Sequence, residues 1–211
     1  MTRALRPIFS LALVAVLAGL SFSGRSRVAQ AAPEPGVVPT TWELTFKNYA
    51  PERIVAAVEG KGEKQTYWYM RYTVTNNSGQ DLLFTPEFEL MTDTGQIVKA
   101  GKGVDDSIFR QIKELYKNPL MEGPVDILGK ILQGEDNAKD GVAIFAGVDA
   151  DARTFRFMVG GISGETSPVL DPVTKEKVVL HKTLVLEYLI PGESIGAAPQ
   201  PQFKSKKWVM K

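Results

Sequence analysis

The sequence predicts a mainly β protein, an antiparallel β-sandwich with a two-helix insertion, and three observations support this prediction. Apolar and polar residues alternate in short runs, as they do in strands with one buried face. Gly, Pro, Asn and Asp separate these runs at intervals typical of sandwiches. Apolar residues at helical spacing occur in one region only, at about 104–133. Strands and helices do not alternate regularly, which argues against a doubly wound sheet or an α/β barrel.

The first 31 residues have the order of a secretory signal peptide. Arg3 and Arg6 precede a predominantly apolar run of 13 residues, Ile8–Leu20, and a small-residue site, Ala29-Gln30-Ala31, follows. The run is shorter than the roughly 20 residues of a membrane-spanning helix. We therefore predict cleavage after Ala31 and export to the periplasm, cell envelope or exterior. An uncleaved anchor is the alternative, because Ser21–Gln30 is long and carries two arginines.

Charge and cysteine content exclude several functional classes. The chain of 211 residues has a formal net charge of +1, and cleavage removes four arginines and no acidic residue, which leaves −3. A mildly acidic domain lacks the basic surface that nucleic-acid binding requires. The absence of cysteine excludes disulfides, thiolate metal sites and a cysteine nucleophile. We expect no cofactor, no nucleic-acid partner and no membrane span after cleavage.

The predicted strands follow one another with short breaks. A flexible leader at 32–40 precedes the domain at 41–190, which begins with strands at Trp42–Phe46 and Ile54–Val58. The stretch Thr66–Gly95 contains two strands joined by the turn Asn76-Asn77-Ser78-Gly79 and ends in a hairpin signal. Later strands are predicted at 141–146, 154–160 and 178–190. A linker and a last strand at 206–210 complete the C-terminal segment, 191–211.

The insertion at about 104–133 contains two predicted helices. Asp105 and Asp106 offer N-caps for the first, and apolar residues recur at helical spacing from Ile108 to Tyr116. The second is predicted at Pro124–Gly134, where proline suits the first turn and glycine the C-terminus. Both helices are expected to lie across one end or one face of a sheet.

Four short motifs between Trp42 and Ile190 form an ordered series. They are Tyr72-x-Val74-x-Asn76-Asn77-Ser78, Phe88-x-Leu90, Asp93-x-Gly95, and Gln133-Gly134-Glu135 leading to Gly141-Val142-Ala143-Ile144-Phe145. The series resembles the immunoglobulin-like domains of exported bacterial proteins of unknown function. The resemblance implies an immunoglobulin-like β-sandwich and export, and it transfers no catalytic residue. Gln133 replaces the usual proline, and Val104–Leu132 is an insertion that the simple domain lacks.

The catalytic signals in the sequence are incomplete. Ser163 lies in a G-x-S-x-E stretch that departs from the G-x-S-x-G elbow of hydrolases, with no helix expected after it. His181, the only imidazole, is predicted on the outer side of a strand, whereas a serine hydrolase needs it beside the serine. Glu87 and Glu89 share the outer face of one strand, as solvated carboxylates often do. We predict a protein that is not an enzyme, with a hydrolase using Ser163 and His181 as the remote alternative.

Metal-binding and phosphate-binding patterns are incomplete as well. Asp149 and Asp151 form one pair of nearby carboxylates, and Asp105 and Asp106 form another, but neither continues as a calcium loop. Gly101-Lys102-Gly103 lacks the spacing of a phosphate loop. We therefore interpret these residues as turns and helix caps, and predict no metal site.

The most suggestive residues for binding are Tyr67, Tyr69 and Arg71, which alternate with the apolar face of one predicted strand. Exposed tyrosines beside an arginine are typical of interaction hot spots, and flat rings also suit sugar stacking. Burial beneath the helical insertion or a second sheet is the alternative. The leading hypothesis is an envelope or periplasmic module for protein interaction or structure. A carbohydrate-binding or small-ligand-binding domain is the second, so the expected partner is an envelope protein or a glycan.

Overall fold

Alternating side chains build the long strands of the structure, a computed structural model that describes residues 33–36, 38–192 and 200–211. The predicted signal peptide lies outside the described residues. In chain order the elements are β1 (Thr45–Asn48), β2 (Glu52–Ala57), β3 (Lys64–Thr75), β4 (Leu82–Phe84), β5 (Glu87–Thr92), β6 (Ile97–Lys99), α1 (Asp106–Tyr116), β7 (Met121–Glu122), β8 (Gly129–Ile131), a 3₁₀ turn (Glu135–Asn137), β9 (Lys139–Ala146), β10 (Thr154–Gly160), β11 (Thr166–Leu170), β12 (Lys177–Leu189) and β13 (Gln202–Met210). β13 occupies the region where the sequence analysis placed a last strand.

The first sheet is built around β3. One edge of β3 pairs with β2 in its first half and with β1 in its second half, both antiparallel. The other edge pairs antiparallel with β9, and β7 joins β9 in parallel. This sheet is therefore mixed.

The second sheet has the strand order β6, β5, β10, β12, and every pairing in it is antiparallel. β12 is long enough to pair with β10 and β11 along one edge and with β13 along the other. Its first residues pair with β11 and the rest pair with β13, beginning at Lys182. The turn of the β11–β12 hairpin is ordered by Asp171, whose carboxylate accepts the backbone N–H groups of Val173 and Thr174.

The two sheets share one hydrophobic core, because the inward side chains of both belong to a single buried cluster. Aromatic rings join the layers edge to face. Trp68 on β3 lies 4.9 Å from Phe155 on β10, and Phe145 on β9 lies 5.5 Å from Phe157 on β10, measured between ring centroids. Such edge-to-face pairs contribute beyond the area they bury.

Helix α1 covers the opposite face of the first sheet. Asp105 caps its N-terminus by accepting the N–H of Ser107, and Lys117 ends it in the left-handed conformation at φ 49°. Ile108 and Ile112 are fully buried from the helix side and form a second apolar cluster with the sheet. The first predicted helix is therefore confirmed.

The second predicted helix, at Pro124–Gly134, is wrong. This region forms turns and the short strand β8, which pairs with β4 in a separate two-stranded ribbon. Gly129 has a φ of 121°, which no right-handed helix accommodates. Of the four apolar residues predicted to form the stripe of this helix, Ile131 is buried, whereas the others are exposed: Val125, Leu128 and Leu132. Ile127, which the stripe did not include, is buried as well.

The described chain is thus mainly β, with antiparallel and mixed sheets and one α-helix. This confirms the mainly β prediction and corrects the insertion from two helices to one. No helix within the described ranges has the length and apolar character needed to cross a membrane.

Candidate functional site

The tyrosines proposed as a binding surface are buried. Tyr67 is 1% exposed and Tyr69 is 2% exposed, because α1 packs its apolar side against this face of β3. The prediction that these rings are exposed is therefore wrong. The alternative, that the helical insertion covers them, is what the structure shows. Neither ring is open to a ligand.

Arg71 retains partial exposure, but its guanidinium is already engaged. It forms an ion pair with Glu52 at 3.2 Å and lies between the rings of Tyr49 and Tyr116, with centroids 4.6 and 3.7 Å away. The hydroxyl of Tyr116 is 3.0 Å from that of Tyr69. Burial, and then this hydrogen bond, raise the pKa of Tyr69. We interpret these residues as a clamp that attaches the end of α1 to the first sheet.

Four residues that the sequence offered separately meet in one groove. Ser163 and His181, considered for a hydrolase, line it together with Glu87 and Glu89, considered as a carboxylate pair. We call it the outer groove; it has a volume of about 400 Å³, and its remaining lining residues are Thr85, Met158, Gly160, Gly161, Thr183 and Lys211.

Strand alternation places these side chains. Phe88 and Leu90 of β5, like Val159 of β10 and Leu184 of β12, point into the core. The residues next to them in sequence therefore face outward, among them Glu87, Glu89 and Thr183. The strand register places these outward residues side by side across β5, β10 and β12. Gly160 leaves the floor of the groove without a side chain. The adjacent Gly161 has a φ of 74°, and a Cβ there would collide with the carbonyl of Thr85.

The outer groove lacks the hydrogen bonding of a serine hydrolase. The hydroxyl of Ser163 accepts the backbone N–H of Glu165 at 3.2 Å, and among the described contacts none joins it to His181. Ser163 is also 7% exposed. A nucleophilic serine needs a base within hydrogen-bond reach and an acid that orients the base. The described geometry supplies neither contact.

The two glutamates of the outer groove differ in their surroundings. Glu89 forms ion pairs with Lys211 and, at 3.8 Å, with Lys99. Glu87 is exposed, and its carboxylate has no hydrogen-bond or ion-pair partner within the part of the chain that the structure describes. One carboxylate at the groove is therefore available for a positively charged group.

A buried charge lies directly behind the groove, and it is not among the residues that the sequence indicated as functional. Lys182 points inward between the outward-facing His181 and Thr183, and it is 2% exposed. Its ammonium is 3.1 Å from Glu43 and 3.0 Å from Glu165. The signal available in the sequence was a lysine at an inward position of the longest alternating strand, where the flanking inward residues are leucines.

Two turn and cap residues behave as interpreted. Asp105 accepts both the N–H and the hydroxyl of Ser107, and these bonds lower the pKa of Asp105. Asp149 accepts the N–H of Asp151, which lowers the pKa of Asp149. The described residues hold no cluster of three or more metal-ligating side chains.

Comparison with known proteins gives no relative: no family model, no curated protein and no solved structure matches the chain.

Proposed function

We propose that this chain is a non-enzymatic, immunoglobulin-like binding module of an exported protein, with the outer groove as its ligand site. Strand order supports the immunoglobulin-like part. The orders β1/β2, β3, β9, β7 and β6, β5, β10, β12 correspond to strands A-B-E-D and C′-C-F-G of that fold. The parallel β7–β9 pairing and the added strands β11 and β13 are departures from its simplest form. The export part rests on the signal-peptide pattern in residues 1–31.

The ligand we propose is a protein partner that presents a lysine or arginine side chain. The observation that carries this proposal is the unpaired carboxylate of Glu87 opposite Gly160, which contributes no side chain to the groove. Two hydroxyls, of Ser163 and Thr183, and the imidazole of His181 line the same space and offer hydrogen bonds. The volume of about 400 Å³ suits one long side chain with its adjacent backbone.

The carbohydrate-binding alternative depended on exposed rings of Tyr67 and Tyr69. Both rings are buried, and the outer groove has no aromatic lining, so no described observation favours that alternative.

A groove-filling variant tests the proposal without disturbing the fold. In Gly160→Val the new Cβ meets Glu87 Cβ at 3.6 Å, an ordinary contact, and valine suits a strand. A short peptide with a central lysine should shift the NMR signals of residues around Glu87, Gly160 and Thr183 in the parent protein. Gly160→Val and Glu87→Gln should abolish these shifts. Gly62→Val is the control, because Gly62 has open space around its Cβ position.

The same peptide with its lysine acetylated has lost the positive charge and should not shift these signals. It therefore separates recognition of the charge from general contact. Equal shifts with both peptides, or none with either, would contradict the proposal. Hydrolysis of a nitrophenyl ester that is lost in both Ser163→Ala and His181→Ala would instead replace the binding proposal with the hydrolase alternative.

A further inference from the structure

The buried lysine behind the outer groove has three charged or polar partners. A lysine ammonium carries three N–H donors. Besides Glu43 and Glu165, the ammonium of Lys182 reaches the backbone carbonyl of Gly36 at 3.3 Å. Gly36 lies in the leader, far away in sequence. A fully buried ammonium is costly unless it is paired and hydrogen-bonded, so the third partner completes the cluster.

Gly36 also supplies a hydrogen-bond donor to the carboxylate of Glu165. The N–H of Gly36 donates to Glu165 Oε1 at 2.7 Å, while Glu165 Oε2 accepts from Lys182 at 3.0 Å. The Gly36 bond and then Lys182 lower the pKa of Glu165. Burial alone would lower the pKa of Lys182, but its hydrogen bond to Glu165 and its ion pair with Glu43 outweigh burial and raise the pKa. Both groups are therefore charged at neutral pH when they hold Gly36.

The geometry favours glycine at this position. A Cβ on residue 36 would lie 3.0 Å from the carbonyl oxygen of Val38 and 3.3 Å from Glu165 Oε1, closer than side chains normally approach. On the far side, Pro33–Gly36 and the end of β13 line a common hollow of about 560 Å³. The ring of Trp208 lines this hollow, and its centroid is 5.0 Å from the Lys182 ammonium.

We infer that Glu43, Lys182 and Glu165 form a receptor for the backbone of an extended Pro-Gly segment, occupied by the chain's own Pro35-Gly36. Opposite charges bind the N–H and the C=O of one residue, so the receptor recognises main chain, and the close approach of Glu165 favours glycine. The leader is thereby fixed to the domain at Gly36 and is not a free spacer there. This inference concerns residues behind the outer groove and does not depend on the proposed lysine-binding function.

The absence of cysteine makes a single spin label the direct test. Glu34→Cys in the full chain places the label on an exposed leader residue two positions before Gly36. Its electron paramagnetic resonance spectrum should show a slow component in the parent. Gly36→Pro removes the N–H donor and leaves every domain residue unchanged, and it should shift the spectrum to the fast component. Glu165→Gln should do the same, because an NH2 group replaces one of the two carboxylate oxygens. Gly36 and Lys182 donate to different oxygens, so one of these hydrogen bonds is lost.

Glu187→Gln is the matched control on the opposite face of β12, where Glu187 pairs with Arg156, and it should leave the label slow. Near-ultraviolet circular dichroism establishes that each variant is folded. A spectrum dominated by the fast component in the parent would overturn the inference. So would a slow component that persists in folded Gly36→Pro. Excess synthetic peptide containing Pro-Glu-Pro-Gly should release the label from the parent, and a label unaffected by saturating peptide would contradict recognition of the segment itself.

Discussion

At the scale of single residues, Asn76 shows how one buried amide organises a turn. It is fully buried at the end of β3. Its Nδ2 donates to the carbonyls of Gln80 and Ile131 at 2.8 and 2.9 Å, and its Oδ1 accepts the N–H and the hydroxyl of Ser78. The amide therefore connects the turn after β3 to β8, two segments that do not share a sheet.

We predict that Asn76→Ala lowers the free energy of unfolding by about 2–3 kcal/mol, because the buried hydrogen bond to the Ile131 carbonyl is lost together with the bonds that order the turn. Asn77→Ala is the matched control, since Asn77 is exposed, and its effect should stay within about 0.5 kcal/mol. Urea denaturation measures both values. Similar effects for the two variants would show that Asn76 is not the organising residue.

A glycine in β9 illustrates a constraint that the sequence does not reveal. A Cβ on Gly141 would lie 2.5 Å from Cζ of Tyr72 and would also collide with Ile127. The tyrosine ring therefore lies directly over the glycine, within one cross-strand pair. Its position depends on how β3 and β9 align, which no local pattern specifies.

At the scale of elements, the clamp around Arg71 determines how α1 meets the first sheet. The guanidinium lies between Tyr49, which follows β1, and Tyr116, the last residue of the helix. Its ion-pair partner Glu52 starts β2. One side chain on β3 thus connects three other segments of the chain.

We predict that Arg71→Met loosens the helix by about 1–2 kcal/mol, because it removes a stacked cation and an ion pair together. Amide hydrogen exchange should accelerate along Asp106–Tyr116. Arg110→Met is the control: Arg110 also pairs with a glutamate, Glu59, but both side chains are mostly exposed, so the loss should be about 0.5 kcal/mol or less. Equal acceleration in both variants would contradict the clamp.

The elements also show what sequence patterns could predict. Alternation over Lys64–Thr75 and Lys177–Leu189 identified the longest strands, because a buried face imposes its period locally. The second helix was mispredicted because a few apolar residues at Pro124–Gly134 match a helical stripe equally well. What decided its structure was the pairing of β8 with β4, a contact between residues about fifty positions apart.

At the scale of the whole molecule, the candidate sites are assembled from distant segments. The outer groove combines three strands, Lys211, and three residues between strands, Thr85, Gly161 and Ser163. No local pattern therefore joined Ser163 and His181 to Glu87. The buried cluster combines the leader, Glu43 two positions before β1, the loop before β11, and β12. Lys182 had a local signal, a charge within an apolar face, whereas Glu165 was noted only as the residue that departs from the hydrolase elbow and Glu43 had no signal.

That cluster predicts how stability depends on pH. The pKa of Glu165 in the folded protein is below its ordinary value of 4.5, so its contribution is present above pH 4.5 and is lost as pH falls through the folded pKa. The pKa of Lys182 is raised above 10.5, so its contribution is complete below pH 10.5 and is lost as pH rises through the folded pKa.

We therefore predict that the stability difference between the parent and Glu165→Gln is constant near neutral pH and narrows below pH 4.5. Lys182→Met should remove the alkaline loss above pH 10.5. Thermal denaturation across this range measures both, and Glu176→Gln, an exposed carboxylate in the β11–β12 turn, is the control that should match the parent throughout. The stability difference between the parent and Glu165→Gln could instead persist unchanged into strong acid. That result would mean that the Glu165 carboxylate does not stabilise the fold through its charge. The bond to Gly36 would then act as a neutral hydrogen bond, and the leader would stay attached when the carboxylate is protonated.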